Sequence, residues 1–447
     1  MRVDVVVVGG GPGGYTSALV TKRLYPEMSV LLIRRDEKAI VPCGSPYIFA
    51  TLGTVDKNLL PDDPLKKAGV EILIDEVTDI DRSGKRVKLK GGREIEYGKL
   101  ILATGSVPKG LKVPGAELDG VFYVYKSYDY LRKLRGAIEE ASKIVIIGGG
   151  FVGVEFADDI AAMGKEVTIV ELLPHCLLLN FDEEFAVLAE EELKKRGVNI
   201  VTGVRVKELR GDKRVKAVVL EDGREIPCDL VIISVGTRPN VELAQKCGLK
   251  IHELGAIDVD EYLRTSDPNI FAVGDCSIKR DFLTGKPMIA MLASIAAMEG
   301  RVVASNILGL TKARRMPGVV FVCSTQVGEL CLGAAGYTER RAKEEGLDYL
   351  AVTYTTVNRH PGAIPDARKI TMKLLFLKRS GQLIGAEVAG GKEVGELINL
   401  LALAIQDKAT VANLLDLQFG THPKLTPSPI AYHVVNAAEE AIRKLRT

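Results

Sequence analysis

Two glycine clusters, each set between an apolar strand and a helix, constrain the fold of this chain more than any other feature. The first follows Val3-Asp4-Val5-Val6-Val7-Val8 and reads Gly9-Gly10-Gly11-Pro12-Gly13-Gly14. Gly9, Gly11 and Gly14 fill the spacing GxGxxG. The first glycine of such a set makes a tight turn, the second lets backbone approach a pyrophosphate, and the third lets helix pack on strand. A helix expected over Tyr15 to Leu24 aims its N-terminus at the phosphates. The strand Val30-Leu31-Leu32-Ile33 then completes a βαβ unit. The second cluster follows Lys143-Ile144-Val145-Ile146-Ile147, with Gly148, Gly150 and Gly153 at the same spacing around Phe151-Val152. Its next strand, Glu166-Val167-Thr168-Ile169-Val170, ends in Glu171. A carboxylate there holds a ribose 2′-hydroxyl and repels a 2′-phosphate, which favours NADH and leaves NADPH open. One GxGxxG is a weak signal, whereas two in this context are a strong one. The first unit departs from the pattern: Arg34-Arg35 stand where an acid is expected, and the nearest acids are Asp36 and Glu37. The ribose of the first cofactor is therefore expected to be held differently, with an arginine over the adenine or near a phosphate.

Bulk composition narrows the partners. The 447 residues suffice for two or three domains with real cores. A net charge of +2 points to neither nucleic acid nor an acidic partner. The apolar run at the start is too short for a signal peptide or a membrane span and reads as a buried parallel strand. The 7 cysteines are scattered at positions 43, 176, 228, 247, 276, 323 and 331 without a CxxC. No zinc site, other metal site or disulfide framework is expected, and a cytoplasmic location fits.

Cys43 lies between the two glycine motifs, in Ile40-Val41-Pro42-Cys43-Gly44-Ser45-Pro46-Tyr47-Ile48. Two nucleotide sites suit the passage of a hydride between cofactors, and a thiol beside them suggests that electrons end at sulfur. Position 48 is Ile, so the redox partner of Cys43 is expected from outside the motif. Pro42 can open a helix running through Phe49-Ala50-Thr51-Leu52, placing the sulfur at the positive end of its dipole, where thiolates form. The other six cysteines read as structural thiols.

Three further segments carry a family resemblance. Tyr97-Gly98-Lys99-Leu100-Ile101-Leu102-Ala103-Thr104-Gly105 resembles the ATG segment of two-dinucleotide flavoproteins. Thr265-Ser266-Asp267-Pro268-Asn269-Ile270-Phe271-Ala272-Val273-Gly274-Asp275 resembles their second FAD motif, and Ser234-Val235-Gly236-Thr237-Arg238-Pro239-Asn240 the loop closing the NAD domain. In family order over the first 300 residues or so, they resemble the pyridine nucleotide-disulfide oxidoreductase family. Pro42-Cys43-Gly44-Ser45-Pro46-Tyr47 is similar to the active-site segment of its one-cysteine branch. That branch contains coenzyme A disulfide reductases, persulfide or sulfur reductases, NADH oxidases and NADH peroxidases.

The resemblance implies an α/β fold with two Rossmann-like domains, for FAD and NAD, and a C-terminal α+β dimerisation domain. The expected boundaries are 1–112 and 244–316 for the FAD domain, 113–243 for the inserted NAD(P)H domain and 317–447 for the C-terminal domain. Expected strands Val319 to Cys323, Ile370 to Leu377 and Gln382 to Val388, with a helix over Glu393 to Gln406, suit the last. Gly9, Gly11, Pro12, Gly14, Arg34, Val77, Ala103, Thr104 and Gly105 are the expected FAD positions. Asp275 is expected on the ribityl chain and Ala293 at the flavin ring. Gly148, Gly150, Val152, Gly153, Glu155, Glu171 and Gly236 are expected toward NADH, with Glu155 near nicotinamide and flavin.

For substrate, Lys22 and Arg23 match basic contacts to the ADP part of coenzyme A, and Arg359 and His360 are exposed-loop candidates. His422-Pro423-Lys424-Leu425-Thr426-Pro427 partly resembles an HPTxxE segment that reaches the partner subunit's flavin site in a homodimer. Pro427 replaces its glutamate, so His422 is an incomplete acid/base candidate, with Tyr432 and His433 behind it. Pro12 occupies the place of the histidine that polarises peroxide in the branch's peroxidases and oxidases. The expected activity is electron transfer from NADH through FAD and Cys43 to a low-molecular-weight disulfide or persulfide, of the coenzyme A disulfide kind. One alternative is an NADH oxidase that reduces oxygen through a Cys43 sulfenic acid. Another, of a different class, is a binding protein that responds to the redox state of its flavin.

Overall fold

The computed structural model describes residues 1–309 and 314–446. The chain divides into two compact units. One comprises residues 1–111, 122–140 and 235–319, the other residues 112–121, 141–234 and 320–447.

In the first unit the valine run forms the strand Arg2–Val8, buried from Val5 onward. It has no polar side to offer water, as a strand covered on both faces requires. It lies between Val30–Arg34 and Glu94–Leu102, parallel to both, with Val8 opposite Ile33 on one side and Leu102 on the other. Glu71–Ile74 and Ile270–Ala272 extend the parallel sheet. The hairpin Val77–Asp81 and Arg86–Leu89 adds antiparallel strands. The first helix spans Pro12–Leu24 and so starts at Pro12 rather than Tyr15. Proline's fixed φ suits a first helical turn, where no amide donor is needed. It packs against the helix Ala293–Asn306.

The segment 122–140, grouped with the second nucleotide fold on sequence grounds, belongs to the first unit. Its helix Tyr128–Glu140 is anchored there by side chains: Tyr128 donates to Asp56, and Arg135 to the carbonyls of Ile48 and Phe49.

The second unit repeats the parallel plan. Lys143–Ile147 is flanked by Glu166–Val170 and Leu230–Ile233, with Asn199–Val201 beyond. Val206–Gly211, Val215–Leu220 and Glu225–Pro227 form a separate antiparallel sheet. The C-terminal part is an antiparallel five-stranded sheet, in spatial order Val322–Val327, Leu330–Gly336, Leu383–Gly390, Lys369–Leu377, Tyr349–Val357. The helices Val394–Gln406 and His433–Leu445 pack on it. Its first strand begins at Val322, not Val319, because Val319 bridges to Asp281 in the first unit instead. The expected class, two Rossmann-like folds with a C-terminal α+β part, is what the chain forms. Among the described residues no helix is long and apolar enough to cross a membrane.

Candidate functional site

The two glycine loops are built alike. Gly9 has φ +113° and Gly148 φ +107°, the region that favours glycine. A Cβ on Gly14 would stand 1.9 Å from the Gly9 carbonyl oxygen, and one on Gly153 1.9 Å from that of Gly148. The third glycine thus lets each helix close on its strand. Above Gly11 and Gly150 no atom lies within 4 Å of a Cβ position. The backbone there is bare to an incoming pyrophosphate, so the residues present fit two dinucleotides. Pro12 follows at the first helical position, and Val152 sits exposed in the first turn of Phe151–Ala161.

Beneath each loop lies the side chain at the end of the second strand, and here the two sites diverge. Glu171 accepts from the backbone N–H of Gly149 at 2.5 Å and of Leu173 at 2.7 Å, holding its loop to the strand end. Arg34 occupies the matching place under Gly10, its side chain 5% exposed. Its guanidinium donates to both carboxylate oxygens of Asp62, at 2.6 and 2.8 Å, and to the carbonyls of Asp36 and Glu37. These bonds hold the Arg34 guanidinium against Asp62 and the carbonyls of the turn that follows its strand. The acid missing from the strand end is brought from position 62 by an ion pair.

The ATG segment closes over the first loop. Ala103 N–H donates to the Val8 carbonyl, and its own carbonyl oxygen packs under Gly9. Thr104 Oγ1 donates to the Asn240 carbonyl at 2.6 Å, and Asn240 N–H to that of Gly105. Lys109 N–H donates to the Gly236 carbonyl, so the closing loop and the ATG segment are knit together. Val77 begins the strand Val77–Asp81, and Ala293 begins the helix Ala293–Asn306. Asp275 accepts from Ser106 Oγ at 2.7 Å and pairs with Lys126 at 3.1 Å. Sequence reasoning missed both partners. Ser106 follows Gly105 directly and was within reach of a motif argument, while Lys126 has no local signature.

Cys43 is exposed in a 3-10 helix, Pro42–Ile48. This corrects the longer helix expected to reach Leu52. Pro46 inside the segment has no N–H to donate, and the turn ends two residues later. A seven-residue 3-10 turn carries little dipole, so the dipole argument for a Cys43 thiolate loses most of its force. The segment is instead fixed by neighbours. Buried Asn58 donates from Nδ2 to the Val41 carbonyl, and its Oδ1 fills the space where a Cβ on Gly44 would be. Arg135 caps the far end. The remaining thiols differ in kind. Burial pushes up Cys228 and Cys323, to about 12 each, and raises Cys176, Cys247, Cys276 and Cys331. Those six are protonated at neutral pH.

In the second unit, Glu155 accepts from Thr325 Oγ1 at 2.8 Å, a partner on the strand Val322–Val327 that no motif announces. His422 is exposed, and its Nδ1 accepts from the Lys424 N–H, which leaves the proton of a neutral ring on Nε2. The loop Asn358-Arg359-His360 clasps this segment: His360 Nδ1 meets the Thr426 carbonyl at 2.9 Å, and Arg359 donates to the Leu425 carbonyl. Three separate sequence candidates thereby come together. Tyr432 stacks on Phe419, and burial pushes His433 down to about 4, so both are packing groups and His433 stays neutral. At the far end of the first helix, Lys22 donates to the carbonyls of Pro26 and Met28, while Arg23 is exposed.

Paired dinucleotide folds, with an exposed thiol in the first unit, define the class of two-cofactor oxidoreductases that work through sulfur. A sequence profile described as pyridine nucleotide-disulphide oxidoreductase matches residues 3–300, and that of the dimerisation domain matches 322–430. The chain belongs to the pyridine nucleotide-disulphide oxidoreductase family, as an enzyme that uses FAD and NADH. It is 31% identical to an NADH oxidase of Methanocaldococcus jannaschii, over 98% of this chain and 99% of the other. It is 34% identical to an NAD(P)H coenzyme A polysulfide/persulfide reductase of Pyrococcus horikoshii, over 87% of this chain and 88% of the other. Among solved structures, an NAD-dependent persulfide reductase from A. fulgidus superposes with a TM-score of 0.92 at 35% identity, covering 99% of this chain and 83% of that one.

Proposed function

We propose that this enzyme reduces a low-molecular-weight disulfide or persulfide at the sulfur of Cys43, with coenzyme A derivatives as the leading substrate class. The observation that carries this is the contrast among thiols: Cys43 is exposed in a clamped segment, while burial raises the other six. Bound FAD supplies a two-electron link between the nicotinamide and sulfur. The chain's own residues do the rest. The glycine loops grip the two pyrophosphates, and Glu171 favours a free ribose 2′-hydroxyl. Cys43 thiolate attacks one sulfur of the substrate, forming a mixed disulfide and expelling a thiolate. That leaving thiolate takes a proton, for which His422 as the imidazolium is the candidate donor, giving the proton up and returning to the neutral ring. Two electrons then cleave the mixed disulfide, and Cys43 returns as thiolate while the second product thiol leaves. The sum is NADH, a proton and one disulfide giving NAD⁺ and two thiols. A persulfide gives a thiol and hydrogen sulfide.

The same reading has the chain act as a cytoplasmic homodimer, with its C-terminal domain reaching the partner's flavin site. The match to a dimerisation domain and the exposed Leu403 and Ile430 in that region support it. The test is Cys43→Ser. NADH should still bleach the bound FAD without oxygen, while substrate-dependent NADH consumption falls about 10³-fold or more. Substrate reduction at the wild-type rate would overturn the reading. The likeness to an NADH oxidase supports a second reading, in which one NADH reduces oxygen to hydrogen peroxide, the peroxide oxidises the Cys43 thiolate to sulfenate with release of water, and a second NADH returns the sulfenate to thiolate and water. NADH consumption that needs oxygen and ignores disulfides and persulfides would favour it.

A further inference from the structure

Directly after Asp275 the first unit buries an ion pair that the proposed chemistry does not use. Lys279 and Glu299 have side chains 1% and 0% exposed. Lys279 Nζ lies 2.9 Å from Glu299 Oε1 and 3.0 Å from Oε2, aligned for a hydrogen bond with Oε2. It also donates to the Gly274 carbonyl at 2.6 Å, to Ser277 Oγ at 2.7 Å and to the Ser277 carbonyl at 3.1 Å. Glu299 Oε2 accepts from the Gly274 N–H at 2.6 Å. The pair therefore grips both the donor and the acceptor of Gly274. That residue has φ +77° and opens the turn Gly274–Cys276. Glu299 itself stands on Ala293–Asn306, the helix whose first residue is the expected flavin contact.

Desolvating two charges is costly, and a buried pair rarely repays it in stability. What it does supply is direction, because each of its bonds fixes one atom of the turn. We propose that Lys279 and Glu299 are positioning residues for FAD: they hold the turn that presents Asp275 and lock it to the helix carrying Ala293. The inference rests on FAD binding at the first glycine loop. A wild-type protein that binds no FAD sinks that foundation, whereas variants that bind it normally sink the proposal alone.

The test compares Lys279→Met, Glu299→Gln and the double variant Lys279→Met/Glu299→Leu. The measurements are FAD titration into each folded apoprotein and the melting temperature of each apoprotein. The double variant leaves no unpaired buried charge, so it folds even where Lys279→Met does not. Its dissociation constant for FAD should rise about tenfold or more, because the Gly274 N–H loses its acceptor and the Gly274 carbonyl its shortest donor, keeping only the bonds from Ser277. Glu299→Gln keeps an acceptor for the Gly274 N–H and should lie between. An FAD affinity within about twofold of wild type in the folded double variant would overturn the proposal. So would a lowered apoprotein melting temperature with unchanged FAD affinity, since that is the signature of a purely structural pair.

Discussion

At Gly11 and Gly14 the same substitution should fail for different reasons. Gly11 has an ordinary extended backbone, φ −75° and ψ −177°, and open space beside it. Gly11→Ala should leave the apoprotein's melting temperature near wild type and impair FAD loading. A Cβ at Gly14 would meet the Gly9 carbonyl oxygen at 1.9 Å, so Gly14→Ala should cost the apoprotein itself about 1–3 kcal/mol. Melting curves of FAD-free protein, set beside the FAD:protein ratio after reconstitution, separate the two. At this scale the sequence was informative wherever chemistry comes as a local string. The glycines, Glu171, Asp275 and Cys43 all belong to such strings. It was silent where a partner arrives from far along the chain. Asp62 reaches Arg34 across 28 positions, and Thr325 reaches Glu155 across 170. No spacing rule spans such gaps, because tertiary packing alone brings them together.

The helical turn bearing Cys43 depends on what surrounds it more than on its own backbone. Arg135, on the helix Tyr128–Glu140, donates to the carbonyls of Ile48 and Phe49 at 2.6 and 2.8 Å. Arg135→Met keeps the aliphatic stem and removes both bonds. It should lower stability by about 1–2 kcal/mol and speed amide exchange over residues 42–49, read by hydrogen exchange with mass spectrometry. Unchanged exchange there would mean that Asn58 suffices as the clamp. Elements with a strong period were legible in advance: the expected Lys143–Ile147 and Glu166–Val170 strands have the bounds observed. The turn after Pro42 was not, since Pro42 suits a helix start and Ile48-Phe49-Ala50 its continuation, while Pro46 between them denies the helix a backbone donor. The start of the C-terminal sheet was missed for another reason. Val319 reads as strand, but it pairs with Asp281 of its own unit, not with the sheet that follows.

Within the second unit, Lys373 ties the nucleotide fold to the C-terminal sheet. Buried at 3% exposure, its ammonium meets Asp182, Glu184 and Glu339. Glu387 stands beside them and accepts from the Asp182 N–H. Burial, followed by the charge of Asp182, holds its carboxyl well above the usual 4.5. Such an acid keeps its proton in the folded protein while the unfolded chain ionises. Stability is therefore lost as pH rises from 4.5 through the folded value. Glu387→Gln retains an acceptor for Asp182 and cannot ionise. Its melting temperature should exceed wild type by a few degrees at alkaline pH and converge with it near pH 4.5; an equal offset at every pH would contradict this assignment. The distribution of cysteines has a consequence of its own at this scale. Cys247 and Cys276 lie in the first unit, and Cys176, Cys228, Cys323 and Cys331 in the second. The five that are buried, all but the half-buried Cys247, become reactive when their surroundings open. Timed pulses of an alkylating reagent, read peptide by peptide, thus give the molecule a pair of built-in stopwatches, one for the opening of each unit, with Cys43 as the zero-time mark.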